Sequence, residues 1–423
     1  GDYHLNYNFQ SPYYGSYSSN RLMEFSEPMF KTFLDYIDNG VARASNPAHL
    51  KAATGSNGWY YSTRQNEDAF KNGFTDALLL PVGLKMYVRD DTSSMSYLNQ
   101  TIDALFCAIQ ICTYYNYTLD YEWLTTKQLT KTGSYYSPYD FIAKTANFYV
   151  QWVEKRGVRT DDVFVKDNPA TSTNQQLPTD YSANYYKYPA YTEDMGDNYV
   201  YVLFDGAHEN SYEFNPGVIL GNVQYLTDTL AELGESTAQK CHYTERFAQW
   251  KDLSEHLVNP NVSAYTHSSG LRIFGLSEDR GIRTISATVE LEWIHPGYQL
   301  GFNSDPEDLE TARNTVTVMG DKVSPGYGSV NNTPKIFTQA ARVGYDAKTL
   351  IARLKTYCVN KMAANNWIND STHGWEKAGV VEALDTMMCM SDGGIIKTFP
   401  TWTGADAEFH TIRMPGAFLI SSA

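Results

Sequence analysis

The sequence predicts a mainly α-helical protein that turns to β structure only near its C-terminal end. Three observations carry that expectation. Segments with apolar residues at three- and four-residue spacing follow one another from residue 27 to residue 389. Short apolar runs among Gly and Pro appear only after residue 391 and read as strands. No fixed-period repeat stands out, which disfavours a regular solenoid. Ten or so helices able to pack antiparallel suggest a helical toroid, in which hairpins ring a central cleft.

Residues 27–42 carry Met29, Phe30, Phe33, Ile37 and Val41 on one helical face, with Ser26 as the expected N-cap. Residues 97–115 repeat the pattern with Ile102, Leu105, Phe106, Ile109 and Ile111. Residues 137–155 follow, capped by Ser137 and ended at Gly157. Further helices are expected over 218–233, 243–257, 306–319, 334–343, 347–360 and 376–389. In the tail, 395–400 and 417–420 are the strand-like runs. The segment 163–205 exceeds the ~12–15 residues of a passive connection, and 57–68 sits near that limit, so either is a candidate to line a site.

The 423 residues are 42% hydrophobic and 19% charged, enough to build a core and unlike a disordered chain. With 33 basic against 48 acidic residues the formal charge is −15, which argues against nucleic acid or an anionic membrane surface as the main partner. No window approaches the ~20 consecutive apolar residues of a membrane span. The longest apolar stretch, 77–88, is broken by Pro81, Gly83 and Lys85. Aromatic residues make up 14%, with 33 tyrosines, whose flat apolar face and polar tip suit half-buried clefts that stack on sugars or peptides. The five cysteines form no CxxC pair and no His lies at zinc spacing, so neither a disulfide framework nor a structural zinc is expected. The abrupt opening at Gly1-Asp2-Tyr3-His4 reads as a trimmed start.

Chemistry concentrates in four places. His4-x-Asn6-x-Asn8-x-Gln10 sets polar side chains on alternate positions, which an extended backbone would gather on one face to bind a polyhydroxylated ligand or hold a water. Asp205-Gly206-Ala207-His208-Glu209-Asn210-Ser211-Tyr212 puts Glu209 in a Tyr-rich loop before a helix; a carboxyl near aromatic surface has its pKa raised and can act as a general acid. Asn369-Asp370-Ser371-Thr372-His373-Gly374-Trp375-Glu376 offers two carboxyls before the last helix, as turn and helix-entry acids or as catalytic groups. Glu290-Leu291-Glu292-Trp293-Ile294-His295 pairs acids with an aromatic and a His, on an exposed face or in a site. HExxH, GxSxG, the P-loop and a GxGxxG after a strand are all missing, which removes the commonest zinc protease, serine hydrolase and nucleotide readings.

Taken in order, these clusters resemble family 95 glycoside hydrolases. The most specific part is the ending: a helix over 376–390, then Ser391-Asp392-Gly393-Gly394-Ile395-Ile396-Lys397-Thr398-Phe399-Pro400 and Arg413-Met414-Pro415-Gly416-Ala417-Phe418. Glu27-Pro28-Met29-Phe30 also looks like the family's Glu-Pro-Leu-Phe. The resemblance implies an (α/α)6 toroid over 1–390 and the start of a C-terminal β-domain over 391–423. It implies an inverting exo-glycosidase releasing α-linked L-fucose, L-galactose or a related sugar from oligosaccharide or polysaccharide ends. By motif position Glu209 would be the general acid, Asn6 and Asn8 would bind the catalytic water, and Asp370 would polarise them, with Glu376 as its possible replacement. His4, His208, Trp375, Glu376 and His295 would line the sugar site. No cofactor or metal is implied, and the setting would be secreted or periplasmic. The sequence departs from the family where Ser-Pro-Glu-Asn has become Ala207-His208-Glu209-Asn210 and where Asp-x-Asn-x-Gly-Gly has become Asp370-Ser371-Thr372-His373-Gly374-Trp375. Two other readings compete: a non-catalytic carbohydrate-binding relative, and a polysaccharide lyase on a similar toroid using His208 with Tyr212.

Overall fold

Helices of eight residues or more form where the apolar spacing recurs, and several of their ends have a local cause. The computed structural model describes residues 3–53, 68–85, 89–90, 100–153, 158–159, 191–205, 213–282, 287–322, 326–328, 331–368 and 375–423. In chain order the longer helices are α1 (Leu22–Asp35), α2 (Ile37–Ala44), α3 (Ile102–Thr118), α4 (Pro138–Val153), α5 (Gly217–Lys240), α6 (Thr244–Glu255), α7 (Pro306–Thr317), α8 (Thr333–Arg342), α9 (Ala347–Lys361) and α10 (Val381–Met388). The protein is mainly helical, as expected.

Several boundaries moved. The expected helix 27–42 is two helices broken at Tyr36, and α1 begins five residues earlier, so Ser26 lies inside it rather than at its cap. The apolar period crosses the break without a change of phase, which is why the sequence hides it. α4 starts as expected: the Asp140 backbone N–H donates to Ser137 Oγ at 3.2 Å while the Ser137 N–H donates to Asp140 Oδ2 at 2.7 Å, a reciprocal cap. α5 runs past its expected end at Leu233 to Lys240, through a kink where Gly234 holds φ 78°. Asp305 and Asp346 cap α7 and α9 by accepting from Glu307 N and Thr349 N, at 2.9 and 2.8 Å. The expected helix 376–389 is a 3-10 turn over Trp375–Val380 followed by α10, and Cys389 already opens a strand.

The helices are of two kinds. α3, α4 and α8 are buried over most of their circumference, whereas α6 and α9 bury only a stripe and leave the rest to solvent. α5 packs along α3 and α6, α4 touches α1, α3, α5 and α6, and α8 packs on α10 and on the Trp375–Val380 turn. Between α3, α4 and the preceding loops lies an aromatic block in which Phe148 stacks on Trp152 at 5.3 Å, with Phe70 and Phe74 against them. The Trp152 indole N–H donates to Phe204 O at 3.0 Å, so the buried ring loses no hydrogen bond.

Two hairpins end the chain. Cys389–Asp392 pairs with Ile395–Thr398 through the turn Gly393-Gly394, where φ of 55° and 75° requires residues without a Cβ. Phe409–Met414 pairs with Phe418–Ser422. Cys389, Phe409, Ile412 and Met414 form a small core of their own, apart from the main one. The second hairpin is also tied to the helices, since Arg413 Nε donates to Asn20 Oδ1 at 2.8 Å and Gly416 N to Asn116 O at 2.7 Å.

Candidate functional site

The N-terminal segment is not the extended strand that its alternation suggested. Only Tyr3–His4 is a strand, paired with Gly83–Lys85; from Leu5 the chain coils through turns into a 3-10 helix over Ser11–Tyr13. Phe9 N donates to His4 O and Ser11 N to Tyr7 O, each at 2.8 Å, and Tyr7 takes the left-handed φ of 102°. The common polar face is therefore lost. Gln10 turns inward, donating Nε2 to Leu5 O at 2.9 Å and to Cys107 Sγ of α3 at 3.3 Å. Asn6 is buried, while His4 and Asn8 are half-buried.

What the coil achieves is a junction between the two ends of the helical region. Asn8 Nδ2 donates to Glu376 Oε1 at 2.8 Å across 368 positions of sequence. Beside it Ser11 Oγ donates to the Glu376 carbonyl at 2.9 Å, and Ser18 Oγ to Asp385 Oδ2 at 2.8 Å. Gly379 makes the approach possible, because a Cβ there would stand 2.7 Å from Ser11 O. The donor in this contact is the amide nitrogen, so Asn8 turns its NH2 to Glu376 and its Oδ1 away. Glu376 itself is only 7% exposed.

Behind this junction runs a buried band of charged and phenolic groups. Tyr7 donates its hydroxyl to Asn331 Oδ1 at 2.5 Å, and Lys335 of α8 lies over its ring at 4.7 Å. Lys335 pairs with Glu292 in the interior, and Asn222 Nδ2 donates to the other Glu292 oxygen at 3.3 Å. Burial pushes the Glu292 carboxyl up and Lys335 pulls it back. His295 sits edge-on to Tyr14 at 4.8 Å and faces Glu382 Oε2 of α10 at 3.5 Å. Burial, then the cations Arg342 and Lys335, hold the imidazole pKa well below its usual range. Burial lifts Glu382 to about 8, only partly offset by the Tyr298 hydroxyl, which donates to its Oε1 at 3.0 Å. His295 and Glu382 thus meet as a neutral imidazole and a neutral carboxylic acid. One turn along α10, burial raises Asp385 to about 6.

Of the residues singled out in the sequence, Asn8 and Glu376 are brought into direct contact. His4 begins the turn that carries Asn8, and Trp375 projects beside Glu376 with 63% of its surface exposed. His295 and its neighbours Glu290 and Glu292 are not on an exposed face but fully buried, His295 at 1% exposure. Glu209 and His208 lie outside the described residues, as do Asp370 and Tyr212. Phe204–Asp205 pairs with Glu213–Phe214, and Thr101 donates to Asp205 just before α3 begins. Gln10 meets the same helix at Cys107, six residues on, or about 9 Å along a helix axis.

Lys335, Glu382, Asp385, Tyr14 and Arg342 escaped the sequence reading. Lys335 and Arg342 lie within the buried α8, but α10 also exposes Val381 and Leu384, so nothing local marks Glu382 as interior. Among the described residues no group of three or more His, Cys, Asp and Glu is placed to hold a metal, and all five cysteines are free thiols. No helix among them is long and apolar enough to cross a membrane. No protein-family model and no curated protein matches the chain.

Proposed function

We propose that the chain is an inverting exo-glycoside hydrolase on an (α/α)6 toroid, acting on α-linked L-fucose, L-galactose or a related sugar at the ends of oligosaccharides or polysaccharides in a secreted or periplasmic setting. The observation that carries the reading is the Asn8–Glu376 hydrogen bond at 2.8 Å, formed between the segment preceding the first helices and the turn preceding the last. Buried helices beside helices with a solvent face, and the meeting of the first and last elements, are what a closed double ring requires.

In this mechanism Glu376 polarises the Asn8 amide and fixes its Oδ1 as an acceptor. A water donating to that oxygen is held and made more nucleophilic. Its oxygen attacks the anomeric carbon from the face opposite the leaving group. Glu209 donates its proton to the glycosidic oxygen as the bond breaks, and the water proton passes to the base side. The product hemiacetal has inverted configuration. Inversion needs the acid and base groups about 6.5–9.5 Å apart, with the water between them. Glu376 takes the base-side role given to Asp370 by motif position, Trp375 supplies an exposed stacking face, and His295 acts from behind as a positioning residue.

The test is release of free sugar from α-L-fucosyl, α-L-galactosyl and other α-linked oligosaccharides, with the product anomer read by NMR. Wild type releases one sugar with inversion, and Glu209→Gln and Glu376→Gln each lose about 10²–10⁴ of the rate. Undiminished activity in Glu376→Gln, or retained configuration, overturns the mechanism. An ultraviolet-absorbing unsaturated product assigns the chain to the lyases instead.

A further inference from the structure

A cavity of 450 Å³ opens where α3 and α5 meet the tips of the two C-terminal hairpins. It falls in the ~300–1,000 Å³ range of small-molecule sites. Its floor is Arg342, 6% exposed, whose NH2 reaches Ser391 O at 3.3 Å and Asp392 Oδ1 at 3.5 Å, both long, and whose Nε finds no acceptor among the described residues. With both NH2 contacts long, the guanidinium is loosely held at the cavity wall. It lies 4.6 Å over the Tyr298 ring, and Tyr298 and Tyr225, with centroids 5.2 Å apart and planes inclined by 60°, form an aromatic wall. Asp228 and Glu232, one turn apart on α5, also line the cavity, both acceptors when ionised.

We infer that this cavity is a non-catalytic binding site for a neutral mono- or disaccharide. A guanidinium, carboxyls and two phenol rings lining one cavity match the hydroxyls and the apolar face of a pyranose. A free anion suits the cavity poorly, because Asp392 already accompanies Arg342 and two further carboxylates line the wall. A simple cation suits it no better beside a buried guanidinium. Asp228 is already oriented, accepting from Gln224 Nε2 and Ser254 Oγ, each at 2.7 Å, so its remaining acceptor positions are fixed in direction. The inference does not rest on the hydrolase reading, and a chain without catalytic activity would retain the site.

The experiment is calorimetric titration of the full chain with L-fucose, D-galactose, D-glucose and maltose, repeated on Asp228→Ala, Glu232→Ala and Glu376→Gln. At least one sugar binds saturably. Its affinity falls about ten-fold, equivalent to about 1.4 kcal/mol, in Asp228→Ala, falls measurably in the surface variant Glu232→Ala, and persists in Glu376→Gln. Glu232 is exposed, so its variant keeps the test alive if Asp228→Ala fails to fold. Failure of all four sugars to bind overturns the inference. So does binding that survives both cavity variants, or binding that Glu376→Gln abolishes while the cavity variants leave it intact.

Discussion

Replacing Glu382 by Gln tests whether the interior of this protein holds a protonated carboxyl. Burial raises Glu382 from the ordinary 4.5 to about 8. Below pH 4.5 the group is protonated in the folded and unfolded chains alike and adds no pH dependence. Between about 4.5 and 8 the folded chain keeps its proton and the unfolded chain has released it, so stability falls as pH rises, by up to about 1.4 kcal/mol for each pH unit. Across the whole interval the loss is about 5 kcal/mol, a large part of the ~5–15 kcal/mol that usually holds a domain together. Gln keeps an acceptor for the Tyr298 hydroxyl and offers an N–H toward His295, and it has nothing to titrate. Urea unfolding at pH 5.5, 6.5, 7.5 and 8.5 reads the effect. Up to about pH 8 wild type loses stability relative to Glu382→Gln as pH rises, so the difference between the two proteins changes steadily through the series. His295 acts in the opposite sense: its depressed pKa costs stability only as pH falls below its unfolded value, so it does not imitate the alkaline decline. Parallel curves for the two proteins would refute the protonated Glu382.

Two further substitutions probe the elements that position the site. Ser137→Ala removes the hydroxyl that caps α4 and is expected to cost about 1 kcal/mol in urea unfolding, while leaving sugar binding and release unchanged. Gly379→Ala forces a Cβ to within 2.7 Å of Ser11 O, and its neighbours must shift; the expected cost is about 1–3 kcal/mol together with a loss of hydrolysis rate, since the displaced groups are those that join Asn8 to Glu376.

The helices were legible because their signal is local. Period-3.6 apolar spacing marked α4, α8 and α9 to within two residues and found α3 with its start five residues early, and capping residues such as Ser137 and the C-terminal hairpin turn at Gly393-Gly394 carry their meaning in a handful of positions. The misplaced boundaries arise where tertiary contact overrides the local pattern. The break at Tyr36 costs α1 and α2 no apolar residue on the buried face, and the Gly234 kink is absorbed by packing on α6, so neither disturbs the period. The N-terminal alternation failed for a different reason. His4-x-Asn6-x-Asn8-x-Gln10 has the period of a strand, but only its first residue finds a strand partner, at Gly83. The rest coils through short-range turns, with Gln10 reaching Cys107 and Asn8 reaching Glu376, 97 and 368 positions away, which no short window of sequence contains.

The same distance explains what was and was not visible in the site. Asn8 and Glu376 could be named as candidates from their own neighbours in sequence, yet the bond that gives them a shared role depends on Gly379 passing close to Ser11 and on α8 packing behind both. Lys335 and Glu382 are the sharper case, because in sequence each is one charge in an amphipathic segment, and only the surrounding helices make it interior. Once buried, the two are handled differently. Lys335 lies against Glu292 in a buried pair, whereas Glu382 faces an imidazole that burial keeps neutral, so its charge is given up. Proximity to Asn8 and Glu376 therefore comes with a fixed electrostatic background, one Lys–Glu pair and one neutral pair, and a change in either alters the field at the junction without touching a ligand.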